Sequence, residues 1–325
     1  MDWVVDQMQT ISATKKNGVG SLEYQRIAHP HSEQYAMGEL SEEHLQKQAD
    51  FSKTIENPVI FGKFNSEHHY LNTLKLVLSS THETRNRILF CLNEILPQIP
   101  EDGSLLDIGP GDGSLTKAIA QHFKQVTLVD VNHNALDNMK ELLPLSVNST
   151  QITGSILNVD LKLSQYNLVL LSHMLYYIDP QLWLGIIKSV YQSLKDGGIL
   201  VIILGGDELG KSELIHHFGG QVLEIDQLAH QCRNAFGDHN VHLYASDESF
   251  FTSTQEAMLH IAGFMLADAD VTASKDELNR YIIQKLQHSP SHFELTTRQK
   301  YIIIKKNSLL MDELHDSETI LPEIQ

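Results

Sequence analysis

Hydrophobic positions along the middle of this chain follow two patterns that alternate. Apolar runs of strand length end at five places, Asp107, Asp130, Ile156, Ser172 and Leu204. Stretches with helical spacing of apolar residues separate most of these runs, over 114–123, 134–142 and 180–194. Strand–helix–strand repeats with short connections form right-handed crossovers, which place successive strands in parallel. The pattern therefore predicts an α/β fold built on a mostly parallel sheet.

The regions on both sides of this alternation are less regular. Helical stripes precede it from residue 66, and helical periodicity returns near 211–218, 226–236, 253–266 and 275–287, before a last apolar strand at 301–305. Residues 1–60 are polar, and a short helix near 41–51 is expected there. We predict a partly ordered N-terminal arm over 1–60, one α/β domain over 61–306 with an inserted region at 205–300, and an acidic tail over 307–325.

Charge and composition narrow the class of protein. The 24 basic and 41 acidic residues give a formal net charge of −17, and no run rich in Lys or Arg is present. An acidic surface repels phosphate backbones, so nucleic acid is not expected as a partner. Cys91 and Cys232 are too few for a disulfide framework, the first residues lack a signal-peptide pattern, and no apolar run has membrane-spanning length. These features favour a cytoplasmic protein without membrane contact.

A glycine-rich turn carries the strongest chemical signal. An apolar strand ends at Asp107, and glycines follow at 109, 111 and 113 before an amphipathic helix. Glycine allows a sharp turn and lets a ligand approach the backbone, while helix N-terminal amides suit an anionic group. A second acid, Asp130, ends the next strand, where a carboxylate can accept both hydroxyls of a ribose. The pattern predicts a nucleotide-type cofactor at this edge of the sheet.

The spacing D-x-G-x-G-x-G over 107–113 resembles motif I of class I S-adenosylmethionine-dependent methyltransferases. The dinucleotide pattern of nicotinamide dehydrogenases places glycine at position 114, which is serine here. Three later landmarks of the methyltransferase class follow in order, at 153–156, 166–173 and 194–202, so that the resemblance covers about residues 66–305.

The resemblance implies a Rossmann-like, doubly wound α/β fold with a mostly parallel seven-stranded sheet, an N-terminal helical extension and a helical or irregular lid at 205–300. It also implies S-adenosylmethionine as cofactor and S-adenosylhomocysteine as product. Ser155 departs from the family, which usually has an acid there to hold the adenine amino group. The implied cofactor-binding residues are Asp107, Gly109, Gly111, Gly113, Asp130, Val131, Ser155, Ile156 and Ser172.

A narrower resemblance concerns the methyl acceptor. The run His173-Met-Leu-Tyr-Tyr-Ile and the early helix from Tyr70 are similar to histamine N-methyltransferase and its relatives. Matching from Tyr70 places that family's substrate-binding Glu at Glu83. His173 stands where the family has Gln, and Thr297 stands near the position of an Asn. The resemblance implies a small-molecule acceptor with an amine or imidazole-like nitrogen, and Glu83, His173 and Tyr176 as catalytic candidates, with Tyr177 as a further wall residue.

Several alternatives stay open at this stage. Glu83 could pair with Arg87 on a solvated helix face, and His173 could be a histidine with a purely structural role. The chain could also be a methyltransferase-fold binding protein without catalysis, a protein methyltransferase, or another nucleotide-binding enzyme. No metal site is predicted, because adjacent His pairs point in different directions and the two cysteines have no C-x-x-C partner. The sequence leaves the oligomeric state open.

Overall fold

The computed structural model describes residues 10–12, 22–27, 48, 50, 55, 67–206 and 208–307. The helix expected near 41–51 and the acidic tail predicted from 307 fall, except for residues 48, 50 and 307, outside the described residues. The remaining described residues of the N-terminal region add two short strands to the sheet.

One continuous sheet organises the described part of the chain. Its strands are β1 Thr10–Ser12, β2 Glu23–Arg26, β3 Gly103–Ile108, β4 Phe123–Asp130, β5 Asn148–Thr153, β6 Tyr166–Ser172, β7 Leu194–Gly205, β8 Val241–Thr252, β9 Gln287–Ser289 and β10 His292–Lys305. The helices are α1 Glu67–Ser79, α2 Glu83–Phe90, α3 Ser114–Ile119, α4 His133–Leu142, α5 Pro180–Ser193, α6 Leu209–His217, α7 Ile225–Phe236, α8 Gln255–Asp268 and α9 Lys275–Tyr281.

The strand order is β1-β2-β8-β10-β7-β6-β3-β4-β5, and β9 pairs with β10 off this path. The pairs β3–β4, β3–β6, β4–β5 and β6–β7 are parallel, whereas β10 is antiparallel to both of its neighbours β7 and β8. The predicted Rossmann-like, mostly parallel fold is confirmed. Seven strands, from β8 to β5, form the expected sheet, and β1, β2 and β9 extend it beyond that number.

Helices cover both faces of the parallel strands. On one face, α2, α3 and α4 bury a core that includes Phe90, Leu115, Leu136 and Met139 against alternate residues of the strands. On the other face, α5 and α7 pack through residues such as Ile187 on a second core. Burial on both faces explains why the central strands are apolar runs rather than alternating ones.

A third core lies beyond the carboxyl edge of the parallel strands. Gln299 pairs with Gly205 at the end of β7, but β10 pairs with β8 from Phe293 onwards, so that these two strands project past the edge. Helices α1, α6, α8 and α9 pack against the projecting part through a cluster that includes Phe250, Phe293 and Leu295. Residues 205–300 therefore contribute both sheet strands and helices over one end of the sheet.

The structure corrects several predicted boundaries. The third parallel strand ends at Thr153 rather than at Ile156, because Gly154 and Ser155 turn away from the sheet. The last strand begins at His292 rather than near residue 301, and β8 was not predicted at all. Polar residues alternate along both strands, and several of them, including Ser246, Glu248 and Gln299, are buried. Buried polar side chains therefore hid the apolar periodicity by which a strand is recognised.

Candidate active site

Three glycines shape the turn between β3 and α3, and all three have positive φ angles, between 61° and 73°. A Cβ on Gly109 would lie 2.8 Å from Cβ of Met174, which leaves no room for a side chain. A Cβ on Gly111 would meet nothing within 4 Å, because this residue borders open space. Gly113 lies against Met139 of α4 instead and does not line that space. Two of the three predicted glycines thus border this open space, and the third permits close packing.

Asp130 is the last residue of β4, as predicted, and Asp107 is the last but one of the neighbouring parallel strand β3, which ends at Ile108. Asp107 is 2% exposed, and Oδ2 accepts a hydrogen bond from the Thr116 hydroxyl. Its Oδ1 is buried and, within the described part of the chain, has no hydrogen-bond partner. Burial raises the pKa of Asp107 to about 7. The hydrogen bond from Thr116 lowers this pKa, whereas the nearby charge of Asp130 raises it further. Asp130 is partly exposed, and its Oδ1 accepts from the backbone N–H of Asn132 at 2.8 Å.

A cavity of about 610 Å³ opens beside this turn, within the range of small-molecule sites. Every residue predicted for the site lines it except Gly113. We call the part next to the glycine turn the cofactor end; its walls include Asp107, Gly109, Gly111, Asp130, Val131, Ser155 and Ile156. We call the opposite part the acceptor end; its walls include Tyr70, Leu74, Glu83, Arg87, Ser172, His173, Tyr176, Lys211, Phe250, Phe264, Met265 and Thr297.

His173 stands at the exit of β6, between the two ends of the cavity. Its backbone has a φ of 54°, and its N–H donates to the carbonyl of Ile203 at 2.9 Å. The ring Nδ1 is 3.0 Å from the Tyr176 hydroxyl, and Nε2 is 3.5 Å from Nε2 of Gln299. Burial, together with the charges of Arg87 and Lys211, holds the pKa of His173 well below its ordinary value. The imidazole is therefore neutral near pH 7.

Glu83 lies in the first turn of α2 and faces the cavity rather than solvent, since its side chain is 12% exposed. Its Oε1 is 3.8 Å from Nε2 of His173. Burial raises the pKa of Glu83, and the charge of Arg87 and a hydrogen bond from Gln299 oppose this shift. The guanidinium of Arg87 donates to the hydroxyls of Ser172 and Thr84 at 3.1 and 3.0 Å. The alternative of a solvated Glu83–Arg87 pair is therefore wrong.

Sequence reasoning missed Arg87 and Lys211, which line the acceptor end, and Gln299, which contacts His173 there. Gln299 is fully buried on β10, where its Oε1 accepts from the Tyr301 hydroxyl at 2.8 Å. It lies two positions after Thr297 on the same strand face, and this spacing was the available signal. Lys211 comes from α6, and nothing in the local sequence links it to a strand exit.

Aromatic side chains close the acceptor end. Tyr70 of α1 stacks on Phe264 of α8, with ring centroids 5.9 Å apart. Its hydroxyl lies 3.1 Å from that of Tyr177, which follows β6. The hydroxyl of Tyr176 accepts a hydrogen bond from the backbone N–H of Gly205. Both tyrosines after His173 are thus tied to neighbouring elements around the cavity.

The described residues were searched by chemistry and by length for a metal centre and a membrane span. They contain no group of three or more His, Cys, Asp or Glu side chains placed to hold a metal ion. None of their helices has both the length and the apolar character needed to cross a membrane.

Parts of this chain are similar in sequence to a methyltransferase family and to curated enzymes. Residues 81–240 match a family model described as a methyltransferase domain. Ribosomal RNA small subunit methyltransferase A of Latilactobacillus sakei is 29% identical over 99 residues, which are 28% of this chain and 33% of that protein. Carboxy-S-adenosyl-L-methionine synthase of Aeromonas salmonicida is 25% identical over 105 residues, 30% of this chain and 42% of that protein. The chain thus spans less than half the length of these curated relatives.

A solved structure supports the same fold. A candidate methyltransferase from Bacillus halodurans superposes with a TM-score of 0.50 at 14% identity, over 66% of this chain and 97% of that chain. At this level of identity the likeness establishes the fold, and no more.

Proposed function

We propose that this chain, whose residues 81–240 match a methyltransferase-domain model, transfers a methyl group from S-adenosylmethionine to a small-molecule acceptor, at an amine or imidazole-like nitrogen. The observation that carries the proposal is one cavity that joins the glycine turn to Glu83 and His173. The cofactor end fits a nucleoside-type ligand, and the acceptor end offers polar groups among aromatic walls.

The cofactor end has the features that S-adenosylmethionine requires. Gly111 leaves its backbone open to a ligand, and the buried Oδ1 of Asp107, unpartnered within the described part of the chain, suits a polar group of that ligand. Asp130 stands at the end of β4, where a carboxylate can accept ribose hydroxyls. Ser155 and Ile156 border the same space and would contact the adenine. When bound, S-adenosylmethionine supplies an electrophilic methyl group.

The acceptor end would position a nitrogen and take up its proton. Much of the catalysis in such a displacement comes from alignment, which the walls formed by Tyr70 and Phe264 can provide. A nitrogen attacks through its lone pair, so a bound proton has to leave it. Glu83 has a raised pKa and is suited to receive this proton, because a base works best when its pKa approaches the working pH. Neutral His173 would act as a hydrogen-bonding partner of the acceptor.

The acidic character of the chain supports a small acceptor over RNA. The relatives that methylate ribosomal RNA match only part of this chain, and its formal charge of −17 opposes binding to phosphate backbones. A protein acceptor is the second candidate, because the exposed Tyr177, 67% accessible, borders the cavity mouth and could contact a docked chain. A catalytically silent binding protein is disfavoured by the intact turn and both strand-end acids.

Calorimetric titration with S-adenosylmethionine, S-adenosylhomocysteine and NAD tests the cofactor. We expect both adenosyl compounds to bind, NAD not to bind, and Asp130→Ala to lower the affinity by about tenfold or more, since it removes hydrogen bonds to a charged group. Asp196→Ala serves as the control, because this exposed carboxylate lies near the start of β7, at the opposite edge of the sheet.

Methyl transfer from radiolabelled cofactor then tests the acceptor class. Small amines and imidazoles, protein extracts and RNA are offered separately. The expected result is labelling of a small nitrogen compound, abolished in Glu83→Gln. Failure of both adenosyl compounds to bind would sink the whole proposal, whereas labelling of protein alone would replace the small acceptor by the second candidate.

A further inference from the structure

Two basic side chains face the acceptor end, and they come from different elements. Arg87 lies on α2, is 9% exposed and donates to the hydroxyls of Ser172 and Thr84. Lys211 lies on the first turns of α6, with its Nζ 5.7 Å from the ring centroid of Tyr176. The Nζ also lies within 3.2 Å of the position that a Cβ on Gly205 would occupy. The ammonium group thus reaches the cavity next to the exit of β7.

Among the described residues, neither basic side chain forms an ion pair. Within the part of the chain that the structure describes, no carboxylate lies within 4.0 Å of Arg87 or Lys211, and the buried Nε of Arg87 has no hydrogen-bond partner. Buried or half-buried cations normally have a paired anion, because removing a charge from water is costly. Among the described residues, Glu83 is a carboxyl group whose pKa both basic side chains lower, so that one carboxyl group faces two basic groups.

The carboxylates around the cavity are distributed unevenly. Asp107, Asp112 and Asp130 line the cofactor end, and the charge of Arg87 lowers the pKa of Asp107. Among the described residues that line the acceptor end, Glu83 is the one carboxyl group, against the two basic groups of Arg87 and Lys211. His173 is neutral and adds no charge. The acceptor end is therefore positive even when Glu83 is ionised, within a protein whose formal charge is −17.

We propose that the acceptor carries an anionic group, a carboxylate or a phosphate, which Lys211 binds while the nucleophilic nitrogen lies at Glu83 and His173. Lys211 would donate its ammonium hydrogens to this anion, and Arg87 would add to the local positive potential. The proposal rests on the proposed methyl transfer and narrows its substrate class from amines in general to acidic nitrogen compounds. Lys211 becomes a specificity-determining residue.

Binding to the product complex tests this without relying on turnover. The protein is first saturated with S-adenosylhomocysteine, and calorimetry then compares probes that share a nitrogen and differ in an acid group. The pairs are histidine and histamine, β-alanine and propylamine, and phosphoethanolamine and ethanolamine. We expect the acid member of at least one pair to bind about tenfold more tightly, as one charge-assisted hydrogen bond allows. The third pair distinguishes a phosphate from a carboxylate.

Three variants assign the preference to its residue. Lys211→Met keeps the length of the side chain without its charge and should abolish the preference, whereas Lys211→Arg should retain it. Lys188→Met makes the same charge change on the exposed face of α5 and should leave the preference intact. The affinity for S-adenosylhomocysteine, measured in each variant, should stay constant.

The outcomes separate the two proposals. No acid preference in any pair, or a preference that survives in Lys211→Met, overturns the assignment of an anionic acceptor to Lys211 and leaves methyl transfer standing. Failure of S-adenosylhomocysteine to bind the wild-type protein overturns methyl transfer itself.

Discussion

At the scale of single residues, His173 occupies a backbone conformation that few residues other than glycine adopt. Its φ of 54° costs on the order of 1 kcal/mol or more, and such strain concentrates at functional positions. The N–H bond to Ile203 and the Tyr176 hydroxyl fix the residue from two sides. This conformation turns the imidazole from the end of β6 into the cavity, where Gln299 and Glu83 meet it.

Asp107 should make the stability of the free protein depend on pH. Its pKa in the folded state is about 7, raised by burial from 3.8, so that the folded state binds the proton more tightly than the unfolded state. The resulting stabilisation is complete below about pH 4 and is lost as the pH rises to about 7, by up to about 4 kcal/mol. Asp107→Asn should remove this dependence, which urea unfolding across that range would measure.

The control for this prediction is Asp112→Asn, which changes an exposed carboxylate in the same turn. It should leave the pH dependence of the wild-type protein in place. A wild-type slope that persists in Asp107→Asn would mean that another group titrates over this interval.

The sequence predicted the residues of the site unevenly, for a physical reason. The glycines and strand-end acids follow directly from local spacing, because one turn places them together. Glu83 was reached only through resemblance to a family, and local spacing offered Arg87 as its partner instead. Gln299 and Lys211 approach His173 from elements more than 35 residues away along the chain, and Gln299 is separated from His173 by 126 residues. No short pattern encodes such contacts.

At the scale of elements, two substitutions in the glycine turn should have different effects, one mainly on cofactor affinity and the other mainly on the stability of the fold. Gly111→Ala introduces a methyl group into open space at a φ of +61°, so we expect a stability loss of about 1 kcal/mol and a fall in cofactor affinity of about tenfold or more. Gly113→Ala places its Cβ against the buried Met139 and should destabilise the fold by about 2–4 kcal/mol, from overpacking and strain together.

Denaturant unfolding and calorimetry with S-adenosylhomocysteine, run on both alanine variants, check this separation. Equal losses of stability in the two variants would contradict the packing that the turn makes with α4.

The contact between Tyr70 and Tyr177 should hold α1 over the acceptor end. Tyr70→Phe removes the hydroxyl and leaves the ring stacked on Phe264, and Tyr177→Phe removes the same contact from the other side. Each change should increase hydrogen exchange in α1 by about two- to fivefold, since one exposed hydrogen bond is worth about 0.5–1 kcal/mol. Mass spectrometry of amide exchange in Glu67–Ser79 would measure it.

The double variant completes a thermodynamic cycle. It should exchange more slowly than the two single effects combined would predict, because both changes remove the shared Tyr70–Tyr177 contact. Additive effects would show that the two hydroxyls act through separate partners.

Helices and strands that bury apolar side chains were predicted from the sequence, whereas a strand that buries polar side chains was not. Helices α7 and α8 were predicted to within two residues of their observed starts, since their apolar stripes face a core. Strand β8 was missed because its alternate positions carry Ser246 and Glu248, and the latter accepts hydrogen bonds from Asn86 of α2. Buried polar groups that hydrogen-bond with each other and with α2 replaced the apolar residues by which a strand is normally recognised.

At the scale of the whole molecule, net charge should exclude RNA. Fluorescence anisotropy with a labelled structured RNA should show no binding at protein concentrations up to about 100 µM in physiological salt, because non-specific affinities of basic proteins already lie near that range. The charge of −17 makes the association of this chain weaker still. Salt-sensitive binding at low micromolar concentration would contradict the prediction and revive RNA as an acceptor.

The position of β10 in the sheet has a consequence for synthesis of the protein on the ribosome. This strand lies between β7 and β8, yet it is made after every other strand of the sheet. The cofactor turn and the parallel strands can leave the exit tunnel and pair early, but both neighbours of β10 keep unpaired edges until it emerges. A nascent chain that ends before residue 292 therefore exposes unpaired backbone N–H and C=O groups on β7 and β8. These edges can pair with other chains, so we expect this form to bind chaperones.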